Sequence, residues 1–168
     1  MKTKRIIVLL VFSLVAGMGV SSGKSDDTAI QDGKAVTLEY TVSVEGKVVD
    51  SSKKHGPLRY THGKKAGIVP GLARQLKGLR AGNTKTIVVA PQEGYGEINP
   101  KAFKQIERKN MPKTLELKLN KYIQIKRSDG KVVSARIADI KDDFVILDYN
   151  HPLASKTLYF KVKVLAVK

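Results

Sequence analysis

From Ala35 the chain alternates. Val36, Leu38, Tyr40, Val42 and Val44 fall on one side of an extended backbone, and Thr37, Glu39, Thr41 and Ser43 on the other. That period of two predicts a half-buried strand. Glu45 and Gly46 turn the chain into Lys47–Val49, the polar stretch from Asp50 to Gly56 reads as a loop, and Leu58 and Tyr60 share a face of the next short strand. Pro70 stands where a helix begins, with Leu72, Leu76 and Leu79 on one stripe and Gly78 and Gly82 closing it. Thr84–Ala90 returns to strand character, and Pro91 opens a loop through Tyr95. Thr157–Val167 is a last alternating strand with Leu158, Phe160, Val162 and Val164 inward.

Between these pieces lies a separate β pattern. Tyr122, Ile123 and Ile125 begin a strand, and Asp129-Gly130 is a two-residue hairpin signal. Val132–Ile140 is the partner strand, Asp142 and Asp143 turn the chain, and Phe144–Leu147 closes the set. The segments on either side therefore read as one interrupted domain, residues 23–96 and 150–168, with an insert over 97–149. At 168 residues the chain has room for one ordinary domain or two small ones.

Met1–Arg5 is basic, Ile6–Val20 is apolar apart from Ser13 and glycines, and small residues follow. This predicts a signal peptide over residues 1–22, cleaved near Ser22 or Gly23, and export to the periplasm; a retained anchor is the alternative. Hydrophobic residues make up 42 % and charged residues 27 %, which excludes a disordered chain. The absence of cysteine removes disulfides, thiol catalysis, thiolate metal sites and a lipid-modified cysteine. Without Lys2, Lys4 and Arg5 the 31 basic residues fall to 28 against 15 acidic, a net of +13. That excess is spread along the chain, which argues against a dedicated nucleic-acid face and favours anionic neighbours such as lipid headgroups or acidic unfolded chains.

Catalytic motifs are scarce. His55, His62 and His151 have no metal-site spacing, Gly63–Gly67 lacks the ending of a phosphate loop, and no serine sits in a nucleophile elbow. No metal and no cofactor is implied. Apolar and aromatic residues at strand ends and loops remain, and these suit a reaction that needs no nucleophile. Rotation about a peptide bond is one. Its barrier of about 18–20 kcal/mol reflects lost amide resonance, and a dry pocket that disfavours the more dipolar planar form lowers it.

Six runs, in order, carry a family resemblance: Leu38-Glu39-Tyr40; Val49-Asp50-Ser51-Ser52; Pro57–Gly63; Ile68-Val69-Pro70-Gly71-Leu72; Gly94-Tyr95-Gly96; and Asn150-His151-Pro152-Leu153-Ala154. With them the chain resembles the FKBP-type peptidyl-prolyl isomerases of the bacterial SlyD-like branch over about residues 34–168. The resemblance implies an α+β fold: an antiparallel sheet packed on a short helix, with a small, mainly β insert in the flap loop. It implies a proline pocket lined by Tyr40, Val49, Leu58, Tyr60, Ile68, Val69, Leu72, Tyr95 and Phe160. Asp50 polarises at the rim, the Tyr95 hydroxyl and the Val69 N–H bind substrate carbonyls, and His151 with Leu153 forms the flap side. Tyr40, Asp50 and Tyr95 are the expected catalytic residues. The expected partners are unfolded polypeptides with X-Pro bonds, captured by the insert; no specific nucleic acid, no membrane insertion after cleavage, and a monomer are expected. Leu72 in place of a tryptophan floor, and Val49 and Leu58 in place of phenylalanines, put macrolide binding in doubt. Taken singly, Tyr40, Ile68, Leu72 and Phe160 read better as core residues, and only their joint order moves the balance to a pocket. Two other readings stay open: a holdase with a vestigial pocket, and a basic protein adhering to anionic surfaces with steep salt dependence.

Overall fold

A computed structural model describes residues 28–63, 67–126 and 129–168; the predicted signal peptide and Lys64–Ala66 lie outside them. Two ten-residue strands, β1 (Ala35–Val44) and β9 (Leu158–Val167), pair antiparallel at the centre of the first sheet. On one flank β1 pairs with β2 (Lys47–Ser51) and, further along, with β3 (Leu58–Thr61); on the other, β9 pairs with β4 (Thr84–Val89). Val44 pairs with Lys47, so Glu45 and Gly46 form the two-residue turn between β1 and β2. Both have positive φ, 50° and 78°, the geometry whose twist matches that of the flanking strands.

Strand alternation places Val36, Leu38, Val42, Ile87, Leu158, Phe160, Val162 and Val164 in one buried cluster. The helix α2 (Pro70–Leu76) contributes Leu72 and Leu76 to the same cluster, and Ile30 plugs its end. Pro70 opens α2 without loss, because the first N–H groups of a helix have no intrahelical acceptor. The helix stops one turn earlier than the leucine stripe predicts. Gly78 takes φ 83° and donates its N–H to the Ile30 carbonyl, while Ile30 donates to the Leu79 carbonyl, so Leu79 lies past the helix.

Three further expectations are corrected. Asp50 and Ser51 belong to β2, held there by pairing with Val42 and Thr41, and Ser52–His55 forms a single helical turn, α1; the stretch is not a plain loop. In the insert, β6 (Tyr122–Lys126) and β7 (Val132–Ile140) end their pairing at Lys126 and Val132. Residues 127–131 separate them, so Asp129-Gly130 sits in a longer connection than a two-residue hairpin. The insert also has a strand that alternation did not reveal, β5 (Phe103–Glu107), paired with β8 (Phe144–Asp148). Its four-stranded order is β5-β8-β7-β6. Ile123, Ala135, Ile137, Val145 and Leu147 form a second buried cluster that shares no residue with the first.

Candidate active site

Between α2 and the inner face of the first sheet lies a cavity of about 720 Å³. From β1 and β2 come Tyr40, Val42, Val49 and Asp50; from β3, Leu58; from β9, Leu158 and Phe160. The approach to α2 supplies Gly67, Ile68, Val69 and Pro70, with Leu72 beneath them. Gly94 and Tyr95, with His151, Pro152 and Leu153, complete the wall. Eleven of the twelve residues named from sequence therefore meet around one cavity, and they are contributed by segments on both sides of the insert. Tyr60 is the exception. It is 7 % exposed, belongs to the core and shares a 3.2 Å hydrogen bond with His62 Nδ1, because its place in β3 lies opposite Val36, one inward position beyond Leu58. Val42 and Leu158 were not anticipated, although each shares strand parity with a residue that was.

Asp50 is the one acidic residue in the wall. Its Oδ2 accepts a 2.7 Å hydrogen bond from the Tyr40 hydroxyl, and its Oδ1 accepts from the Ser51 N–H at 2.8 Å. His55 Nε2 stands 3.4 Å from Oδ1. The Tyr40 bond, helped by the Ser51 N–H and nearby cationic side chains, outweighs burial and holds the Asp50 carboxyl below its ordinary value. Burial pushes the Tyr40 phenol up to about 12, and the Asp50 hydrogen bond and charge add to it. The pair is thus a neutral phenol donating to a carboxylate throughout the neutral range.

Across the mouth, the rings of Tyr95 and His151 stack at 3.7 Å with 5° between their planes. The Leu153 N–H donates to His151 Nδ1 at 3.1 Å, which fixes that nitrogen as an acceptor. Burial lowers the His151 pKa, so the neutral ring is favoured. The Tyr95 hydroxyl and the Val69 N–H have no hydrogen-bond partner among the described residues, leaving two donors available at the rim. Behind the wall, Arg74 holds Glu93 through both carboxylate oxygens, and Gln75 Nε2 donates to the Val88 carbonyl at 2.8 Å. The Arg74 pair ties α2 to the turn that presents Tyr95, and the Gln75 bond ties it to β4.

With apolar walls, one carboxylate held by a phenol and free donors at the mouth, the cavity offers no paired nucleophile and base. It suits a change of conformation in a bound chain rather than a covalent step. No group of three or more His, Asp or Glu side chains that could hold a metal ion occurs among the described residues.

The model of the FKBP-type peptidyl-prolyl cis-trans isomerases matches residues 26–165. The chain is 32 % identical to the FKBP-type isomerase SlyD of Vibrio cholerae serotype O1, over 83 % of this chain and 69 % of that one. It is 26 % identical to the FKBP-type 16 kDa isomerase of Escherichia coli, over 83 % and 94 %. Among solved structures, FkpA from Escherichia coli aligns at a TM-score of 0.46 and 21 % identity over 83 % of this chain and 42 % of that one, too loose a likeness to carry an argument. On the match across nearly the whole described chain, this protein belongs to the FKBP-type peptidyl-prolyl cis-trans isomerase family.

Proposed function

We propose that the cavity between α2 and the first sheet catalyses rotation about X-Pro bonds, and that the insert over residues 97–149 captures unfolded segments and delivers them to it. The proline ring enters the apolar wall of Val42, Leu72 and Phe160, where the planar amide loses hydration. The Tyr95 hydroxyl and the Val69 N–H bind carbonyls flanking the bond and hold the twisted form. Asp50, held in place by the Tyr40 hydroxyl, supplies a fixed negative field beside the rotating amide. Stabilising the twist more than the planar ground state is what accelerates the exchange, which otherwise takes roughly tens to hundreds of seconds. Supporting this reading most directly is a single carboxylate, bonded at 2.7 Å to a phenol, in an otherwise largely apolar wall. The signal pattern of residues 1–22 and the composition fit a protein working on exported, partly folded chains.

The test is refolding of a proline-limited protein in the presence of three forms: wild type, Asp50→Ala with Tyr95→Ala, and a form with residues 98–148 replaced by a short loop. The double variant is expected to lose acceleration by about a hundredfold, in line with removing a transition-state donor and a charge. The loop form should keep its activity on a short peptide and lose it on the protein substrate. Suppressed aggregation without any acceleration by wild type would instead establish a holdase with a vestigial pocket.

A further inference from the structure

We infer that the uncovered face of the first sheet is a docking surface for an anionic phospholipid membrane. The helix α2 covers the other face, and among the described residues only the single turn α1, through Ser52 and Lys53, reaches the edge of this one. Alternation along β9 buries Leu158, Phe160, Val162 and Val164 and exposes Tyr159, Lys161, Lys163 and Leu165. The register sets Lys161 between Thr41 and Thr86, and Lys163 between Glu39 and Thr84. Over these two rows runs an open trough of about 630 Å³, bounded by Lys53 and Pro57 at one end. Lys53, Lys161 and Lys163 form no ion pair among the described residues, and Glu39 is the one carboxylate in the trough. The next row continues the face with apolar groups: Val48 is 65 %, Val88 48 % and Tyr159 45 % exposed, and Ser43 pairs with both Val48 and Tyr159.

Three features select a lipid surface over an acidic polypeptide. The lysines stand on β9, whose backbone is already paired on both sides, so an extended chain added at the free edge of β4 would lie beside the ammoniums rather than over them. Lysine ammoniums on flexible stems are point charges suited to a layer of phosphates, whereas bidentate recognition of carboxylates favours arginine, which the trough lacks. The exposed Tyr159, Val88 and Val48 beside the ammoniums match the interfacial zone, where aromatic and apolar groups sit at headgroup level. The net excess of +13 after residues 1–22 supports the long-range attraction.

The experiment is cosedimentation of the full chain with vesicles of phosphatidylcholine alone and of phosphatidylcholine mixed with phosphatidylglycerol. The readout is the increment due to phosphatidylglycerol, since any binding through the apolar stretch Ile6–Val20 appears with both vesicle types. Each lysine near an anionic surface is worth roughly fivefold in binding, so Lys161→Gln with Lys163→Gln should lower the increment about 25-fold. Lys104→Gln with Lys113→Gln, exposed lysines of the insert, should change it less than about threefold. High salt should abolish the increment, and peptide isomerisation should stay at the wild-type level in both variants because none of these lysines lines the catalytic cavity. The inference is overturned if wild type shows no increment, if the two lysine pairs contribute equally, or if polyglutamate rather than lipid is bound through Lys161 and Lys163. Intact isomerisation alongside any of these outcomes leaves the catalytic reading standing.

Discussion

Tyr40 holds the Asp50 carboxylate in place in the cavity and lowers its pKa. Its hydroxyl is the largest cause of the lowered Asp50 pKa, so in Tyr40→Phe the carboxyl should titrate upward toward 3.8, measured by NMR of the Asp50 side chain. A 10-fold drop in kcat/KM, about 1.4 kcal/mol, is expected with the fold intact, because a hydrogen bond to a charged group is worth about 1.5–3 kcal/mol and this one is half exposed. His151 gives a second prediction. Its Nδ1 accepts from Leu153, so protonation must break the turn that stacks the ring on Tyr95. The folded-state pKa lies below 6.5, hence the unfolded chain binds its proton first as pH falls; the stability due to this turn is present above pH 6.5 and is lost as pH drops through the folded value. A pH profile of kcat/KM should show an acid limb below 6.5 that vanishes in His151→Phe, which keeps the stack and removes the titration. Most of the wall was legible because ordered motifs named it, but Tyr60 was not distinguishable from a wall residue: parity puts it on the inner face with Leu58, and only the register opposite Val36 reveals that it reaches core instead of cavity.

At the scale of elements, seven-residue α2 is too short to hold itself and depends on burying Leu72 and Leu76, each worth roughly 1.5–3 kcal/mol. That packing requires Gly71. A methyl there would sit 2.8 Å from Val89 Cγ1 and 2.9 Å from Glu93 Cβ. Alanine gains at most about 1 kcal/mol in helix propensity, less near an N-terminus, while overpacking costs about 1–3 kcal/mol. Overpacking therefore wins, and Gly71→Ala should lower stability by about 1–2 kcal/mol in urea titration and raise KM by shifting the turn that carries Tyr95. Elements with one buried face, β1, β4 and β9, could be read from alternation; those made by a partner could not. β5 buries Phe103 and Ile106 only in part and is a strand because β8 pairs with it. The end of α2 at Leu76 is set by Ile30, 46 residues upstream, which no local period records.

For the whole molecule, two cores that share no residue are joined where the chain leaves and re-enters the first sheet. Asn150 closes that junction: its Oδ1 accepts from the Asn99 N–H at 2.8 Å, and its own N–H donates to Asp148 Oδ1 at 2.9 Å. Arg136 Nη2 donates to Asp148 Oδ2 at 2.8 Å, bringing β7 into the same network. Burial would raise the Asp148 carboxyl, but the Asn150 N–H, Arg136 and the Asn150 amide together pull it down. Its contribution is therefore present above pH 3.8 and lost as pH falls below that value. The insert buries far fewer residues than the first sheet, and a unit of that size is marginal. It should open first: native-state hydrogen exchange is expected to show the amides of β6 and β7 exchanging at a lower opening free energy than those of β1 and β9. Asp148→Ala leaves the Arg136 guanidinium without its carboxylate and should bring the β6 and β7 amides down by a further ~1–3 kcal/mol while leaving those of β1 and β9 unchanged. If all four strands lost protection together, the molecule would be one cooperative unit, and the insert would be unable to move on a partner without unfolding the catalytic sheet.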